Sequence, residues 1–332
     1  MMYQTNRRLV VLIVACVVMT AVNANGQVAV TKSRLISDLL MLEEAREVSS
    51  LDAAELRTSL RADGTWPDID YTDRSRATWA PRHHLERMLK MAQAYRDPAS
   101  PHHDSASMLQ ASVRAYDRWI SSTPASDNWW WNDIGGPRRL GRVMILLDEQ
   151  LSSGQRTAGT TILQRGDLGQ TGQNLLWRAD ITVMRAVINN DPATLSAAYR
   201  AVDSLLVIAP GTQEGIKIDQ SFHQHGSQLY NGGYGLRFPR DASRLASLAR
   251  STHDALGAEK TDTLQQYLLD GQRWTMHGRL MDYSVLGREL TRKEATDQGA
   301  AFTSEALRYT LTLDSSRKSE LEQFKTSIEE ND

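Results

Sequence analysis

Cysteine is almost absent from this sequence, with a single one, Cys16, in 332 residues. No disulfide can form within the chain, and past the leader described below there is no thiolate to serve as nucleophile or metal ligand. Metal-binding signatures such as His-Glu-x-x-His are missing too, so the sequence offers no metal-ligand set. An excess of positive charge is also lacking. Lys and Arg number 38 against 40 for Asp and Glu, a formal net charge of −2, which argues against general nucleic-acid binding. Long apolar runs are few. The longest, Leu9–Met19, is well short of the roughly 20 residues that a membrane-spanning helix needs. Alternating β-branched patterns are scarce, so a sheet-based fold is disfavoured.

That apolar run follows Arg7 and Arg8 and precedes the small-residue stretch "TAVNANG". A positive start, an apolar middle and an A-x-A-like exit are the parts of a secretory signal peptide. Cleavage after Ala24 is expected, with the rest of the chain, 25–332, secreted or periplasmic and not stably held at a membrane. Cys16 in "IVAC" loosely matches a lipoprotein acceptor, but the residues after it stay apolar. Losing residues 1–24 takes the formal charge from −2 to −4.

Helical periodicity fills most of the remainder. In 33–48, Leu35, Leu39 and Leu42 form one stripe, and similar patterns recur at 82–96, 106–121, 137–151, 174–189, 194–208, 241–256, 262–275 and 303–312. Turn material such as "DGTWPD", "DPASPHHD", "SSTPASD" and "APGTQEG" separates them. The final "DSSRKSELEQFKTSIEEND" reads as a charged amphipathic helix. The fold class expected is all-α. Helix–loop–helix units without a repeat consensus favour hairpins in an incomplete (α/α) toroid over a solenoid.

Three stretches invite a chemical reading. "DNWWWNDIGGPRRLGRVMILL" carries Trp129, Trp130 and Trp131 in a row, then a basic helix opened by Pro137. Three neighbours cannot all face inward. Exposed aromatic faces suit sugar rings, and Arg138, Arg139 and Arg142 suit carboxylates or sulfates; packing is the bland alternative. "SFHQHGSQLYNGGYG" sets His225 and Tyr234 among glycines at 226, 232, 233 and 235, as expected where chain or ligand must approach closely. In "MDYSVLGRELTR", Arg288 and Arg292 are four apart, one face of a helix. Asn174 in "TGQNLLWRAD" is by itself best read as a cap or turn residue. His83-His84 and His102-His103 read as surface pairs.

In order along the chain, "NWW…IG.P", "TG.N", "SF.QH" with its glycine–tyrosine loop, and "GR…R" resemble the polysaccharide lyases of the hyaluronate lyase, chondroitin AC lyase and xanthan lyase family. "DGTWPDIDY" resembles that family's early "DG.WPDI.Y". The likeness covers about residues 33 to 330, and "QHGSQL" is nearer the chondroitin AC enzymes. It implies that Asn174, His225, Tyr234 and Arg288 are catalytic and that Arg292 binds substrate. Trp129 and Trp130 would hold the sugar chain, Trp131 less securely; His223 and Tyr230 fall at variable positions. The implied partner is an acidic, glycosaminoglycan-like polysaccharide, cleaved by a monomer through β-elimination at a uronic acid.

In that scheme Tyr234 takes the C5 proton and returns one to the C4 leaving oxygen. A free phenol has a pKa near 10, so Arg288 and Arg292 are expected to draw it down. Asn174 and His225 stabilise the doubly charged carboxylate, and the scheme demands no metal and no cofactor. In the family, β-sandwich domains follow the helical toroid and contribute a glutamate near the arginine and tyrosine. Only the α-domain is matched here, which leaves a weakly active or non-catalytic sugar binder as the alternative. A glycoside hydrolase would need a carboxylate pair that the candidate loop does not offer.

Overall fold

The computed structural model describes residues 26–41 and 52–330. The expected signal peptide with Cys16, and with it the expectation of export, lies outside them. Among the described residues the regular structure is helical apart from two ribbons of two-residue strands, so the all-α class holds. The chain divides into two units. The first takes residues up to Gly166 together with Ile181–Leu195, and the second takes Asp167–Asp180 and everything from Ser196.

In the first unit, α1 covers residues 26–41, α2 is Ala53–Ser59, α3 Arg82–Arg96, α4 Ala106–Ser122, α5 Gly136–Leu147 and α6 Ser153–Leu163. Two of these, α2 and α6, have no clear apolar stripe and escape a periodicity reading. Both begin with a capping box, Asp52 with Glu55 and Ser152 with Gln155, which satisfies the free N–H groups of the first turn. Helix α3 packs on α4 and α5, and α5 on α6. In the "DGTWPD" turn, Asp63 accepts from the backbone and hydroxyl of Thr65, and the ring of Trp66 is fully buried with its N–H donated to Leu56 O.

His84 is not a surface residue. It shares the inner stripe of α3 with Met88, Met91 and Tyr95 and has no exposed area. Its ring stacks on Trp119 at 5.5 Å and meets Trp66 edge-on at 4.9 Å. Nε2–H donates to Ala115 O at 2.9 Å, and Nδ1 therefore accepts from the Tyr71 hydroxyl at 2.9 Å. A neutral imidazole satisfies both contacts, and burial pushes the pKa down to about 4. The unfolded chain therefore binds a proton near pH 6.5 that the folded chain refuses, and stability is lost as pH falls from 6.5 toward 4. The expected loss is about 3 kcal/mol from this group. Denaturant midpoints at pH 7 and 4.5 should show a smaller difference in His84→Gln than in the parent; an equal difference would assign the acid sensitivity elsewhere.

The second unit contains the start of α7 (Gly172–Ile188), most of α8 (Pro192–Leu205), and then α9 (Tyr234–Ala249), α10 (Ala258–Gln266), α11 (Gln298–Thr310) and α12 (Lys318–Glu329). Strand β1 (Gly215–Ile216) pairs antiparallel with β2 (Phe222–His223), Gly215 opposite His223; β3 (Met276–His277) pairs with β4 (Leu280–Met281). Helix α11 packs on α9 and α12 on α11. The core under α12 is Leu268, Leu307, Leu321, Phe324 and Ile328.

Helix α9 begins seven residues before the 241–256 expected, and the reason is chemical. Pro239 lies inside it and has no N–H to give to the carbonyl of Gly235. The Tyr267 hydroxyl donates to that carbonyl at 2.8 Å instead. A side chain 32 residues away in sequence thus repairs the ladder, and no local pattern reports it.

Candidate active site

The site in the second unit is assembled from the β2–α9 loop, the first turn of α9, the 3-10 turn Gly287–Thr291 and the start of α7. Tyr234 is the first residue of α9. Its ring lies 5.2 Å from His225 at 87°, 5.1 Å from Tyr230 and 5.7 Å from Trp177. Arg288 reaches both phenols, Nε donating to Tyr230 Oη at 3.1 Å and Nη2 to Tyr234 Oη at 3.1 Å. Tyr230 is fully buried and donates its proton to Glu289 Oε1 at 2.9 Å; the other oxygen of Glu289 pairs with Arg292 Nε at 2.8 Å.

The glycines before Tyr234 are demanded by the chain itself. A Cβ at Gly233 would sit 1.9 Å from Tyr230 Cε1, so only a bare backbone lets that ring lie beneath the start of α9. The far end of the loop is held by Glu214. The backbone N–H of His225 donates to its Oε1 at 2.7 Å, Thr171 Oγ1 donates to Oε2 at 2.7 Å, and the Gln224 side-chain amide donates to Oε2 as well. His225 has φ +58°, the left-handed region that non-glycine residues seldom adopt. That bond to Glu214 holds it there, with the imidazole exposed.

Asn174 does not cap α7. The Gln173 N–H at the helix start is taken by Gln224 Oε1 at 3.0 Å, while Asn174 is 7% exposed and its Oδ1 has no hydrogen-bond partner among the described residues. Its helix neighbours lead to both sides of the cluster, Gln173 to the residue before His225 and Trp177 to the ring of Tyr234. Gln173 Nε2 and Trp177 Nε1 both donate to Asp241 Oδ2, at 2.8 and 2.7 Å.

Sequence reasoning grouped Asn174, His225, Tyr234 and Arg288; Tyr234 meets both His225 and Arg288, and Asn174 is tied to them through its helix neighbours Gln173 and Trp177. Arg292 joins through Glu289 and not directly. The expected helical face for the two arginines is absent, since Gly287–Thr291 is a 3-10 turn and Arg292 follows it in extended backbone. Tyr230, the weaker candidate, lies at the heart of the cluster. Glu289 was missed, although an acid between two candidate arginines in "GRELTR" is a legible hint. His223 points elsewhere in charge terms, with burial and Lys217 lowering its pKa. The expectation that arginines draw the Tyr234 pKa below 10 is reversed in this chain. Burial raises it, and Arg288, the next largest influence, pulls it back only in part.

In the first unit, Trp129 is 45% exposed, while Trp130 and Trp131 are half-buried. Trp131 is the packing member, 5.8 Å from Trp79 and beneath the guanidinium of Arg139 at 5.3 Å. Trp130 meets it edge-on at 5.0 Å. A π-turn, Trp131–Gly135, lets the two rings close over Gly135, where a Cβ would come within 2.6 Å of each. Arg142 is buried and Arg139 pairs with Glu86 at 3.4 Å, so neither is set out for a ligand as the sequence suggested.

The profile described as "Polysaccharide lyase family 8, N terminal alpha-helical domain" matches residues 27–330. Chondroitinase-AC of Pedobacter heparinus is 30% identical over 277 residues, 81% of this chain and 39% of that protein. Hyaluronate lyase of Thermasporomyces composti is 29% identical over 304 residues, 85% of this chain and 36% of that protein. A chondroitinase AC lyase solved in complexes with oligosaccharides superposes with a TM-score of 0.84 at 27% identity, over 91% of this chain and 45% of that one. A Paenibacillus xanthan lyase shares the fold, with a TM-score of 0.75 at 20% identity, over 91% and 30%. The chain spans less than half the length of these relatives. It belongs to polysaccharide lyase family 8, whose N-terminal α-helical domain it carries.

Proposed function

We propose that this domain cleaves a uronate-containing acidic polysaccharide of the chondroitin or hyaluronan type by β-elimination. The observation that carries the reading is the bond from Arg288 to Tyr234 with the His225 ring 5.2 Å away, in a chain of this family. The Tyr234 phenolic oxygen removes the proton on C5. The C5–H electrons form the C4–C5 double bond, the C4–O bond breaks, and the leaving oxygen takes a proton from the phenol. Arg288 supports the phenolate that precedes proton removal and that is restored once the leaving oxygen has been protonated.

Negative charge grows on the substrate carboxylate as the proton leaves. The amide N–H group of Asn174 and the exposed imidazole of His225 are the groups suited to receive it. Such donors act by being fixed before charge develops. Because burial raises the phenol pKa, Tyr234 rests as a neutral hydroxyl; it acts as base only after giving that proton to water, and Arg288 stabilises the phenolate that results. Trp129, with its exposed ring, is suited to stack on a sugar, and Trp130 less so. The same reading has residues 1–24 direct export, as a polymer too large to enter a cell requires.

The test is the ultraviolet absorbance of the unsaturated uronate end, followed with chondroitin and hyaluronan separately. An increase supports elimination. Reducing ends without that absorbance would mean hydrolysis, and tight oligosaccharide binding without turnover would leave a binding domain.

A further inference from the structure

Arg288 bonds two phenols at the same distance, 3.1 Å, on rings 5.1 Å apart. An arginine so placed does not decide which of them ionises. The asymmetry comes from the other side of the pair. Tyr230 Oη accepts from Arg288 and gives its proton to Glu289, so its bonding capacity is filled. Tyr234 Oη accepts from Arg288, but no acceptor among the described residues takes its proton.

From this geometry we infer that Glu289 is a positioning residue. By accepting the hydrogen bond from Tyr230 it keeps the proton on that phenol and leaves Tyr234 as the one phenol at Arg288 free to exchange a proton with substrate. The assignment rests on the lyase reading for its catalytic meaning, though not for its physical content. Ionising Tyr230 would set a phenolate 2.9 Å from a buried carboxylate and break the bond between them. Arg292 anchors the second oxygen of Glu289, which fixes the first toward Tyr230. The electrostatics agree. Burial and then Glu289 push Tyr230 up to about 12, whereas for Tyr234 the pull of Arg288 ranks above the push of Glu289. A carboxylate and an arginine on one phenol thus form a lock, and the neighbouring phenol keeps the proton that moves.

The experiment is Glu289→Gln, which keeps size and an acceptor oxygen while removing the charge. Tyrosinate formation is followed by ultraviolet difference titration of the parent, Glu289→Gln and Glu289→Gln/Tyr230→Phe. One tyrosine should ionise at lower pH in Glu289→Gln, by about one unit or more, and that step should vanish in the double variant. An unchanged titration, or a step that survives Tyr230→Phe, overturns the proposal. Turnover provides the second arm. A fall in kcat of about tenfold with KM little moved, together with a displaced pH profile, is expected for a group acting through proton transfer; a change in KM alone counts against it. Absence of unsaturated product from the parent chain would reject the lyase reading and leave the titration to decide the role of Glu289. Should Glu289→Gln not fold, Tyr230→Phe alone must remove a late-ionising tyrosine from the difference spectrum; losing an early one overturns the assignment.

Discussion

Tyr234→Phe is expected to lower turnover of a uronate polysaccharide by about a thousandfold, within the 10²–10⁴ that a positioned general acid or base contributes. The ring contacts stay. Phenylalanine keeps the edge of His225 at 5.2 Å, the face of Tyr230 and the packing of Trp177, and it leaves the bond from Arg288 to Tyr230 untouched. What goes is one oxygen, together with the Arg288 Nη2 bond to it. Stability should therefore move by less than about 1.5 kcal/mol, the net worth of one hydrogen bond. Substrate affinity should also stay near the parent value, because the groups suited to the uronate carboxylate are Asn174 and His225. A steep loss of kcat with an unmoved thermal midpoint assigns the proton transfer to this phenol. A variant that turns over at the parent rate removes Tyr234 from the chemistry, and one that unfolds early shows that the hydroxyl was structural.

The helical fold was legible because its signal is local. Helix α3 was expected at 82–96 and stands at Arg82–Arg96, since its apolar residues recur at helical spacing between clear turns. Errors came where a distant group overrides a local rule. The expected helix started only at 241, after the proline and glycine of "YGLRFPRD", yet Tyr267 supplies the missing bond and α9 runs through. His84 looked like a surface residue beside His83, and only the packing of Trp66, Trp119 and Tyr71 explains its burial.

The site divides along the same line. Ordered motifs pointed to His225, Tyr234 and Arg288, which prove to be in contact. They could not point to Glu214 or Glu289, whose importance lies in which atoms they reach. A carboxylate 11 residues before His225 has no motif, and one between Arg288 and Arg292 hints at a role without telling which atom it reaches. Nor does a sequence say how deeply a phenol is buried. That is why the direction expected for the Tyr234 pKa was wrong: the arginine was visible and the desolvation was not.

Asp241→Ala is expected to cost about 3–5 kcal/mol, the range for breaking a buried ion pair from one side. Asp241 is 2% exposed and all its oxygen capacity is in use. Oδ1 takes Arg240 Nε at 3.0 Å and Nη2 at 2.9 Å; Oδ2 takes Gln173 Nε2 and Trp177 Nε1. Alanine would strand the buried Arg240 guanidinium, whose remaining carboxylate, Glu305, is 3.8 Å away. It would also cut these bonds from an amide and an indole at the start of α7. Asp241→Asn should cost less, because an acceptor oxygen remains for one of the two donors. The loss should be felt at the site as well as in the fold, since Trp177 is the ring against Tyr234 and Gln173 is bound to the residue before His225. Denaturation followed by tryptophan fluorescence gives the first quantity, and kcat at a temperature well below the midpoint gives the second. A loss under about 1 kcal/mol would put the group in the class of exposed pairs, against its burial. A full stability loss with unchanged kcat would mean that α7 holds Asn174 and Trp177 without help from α9.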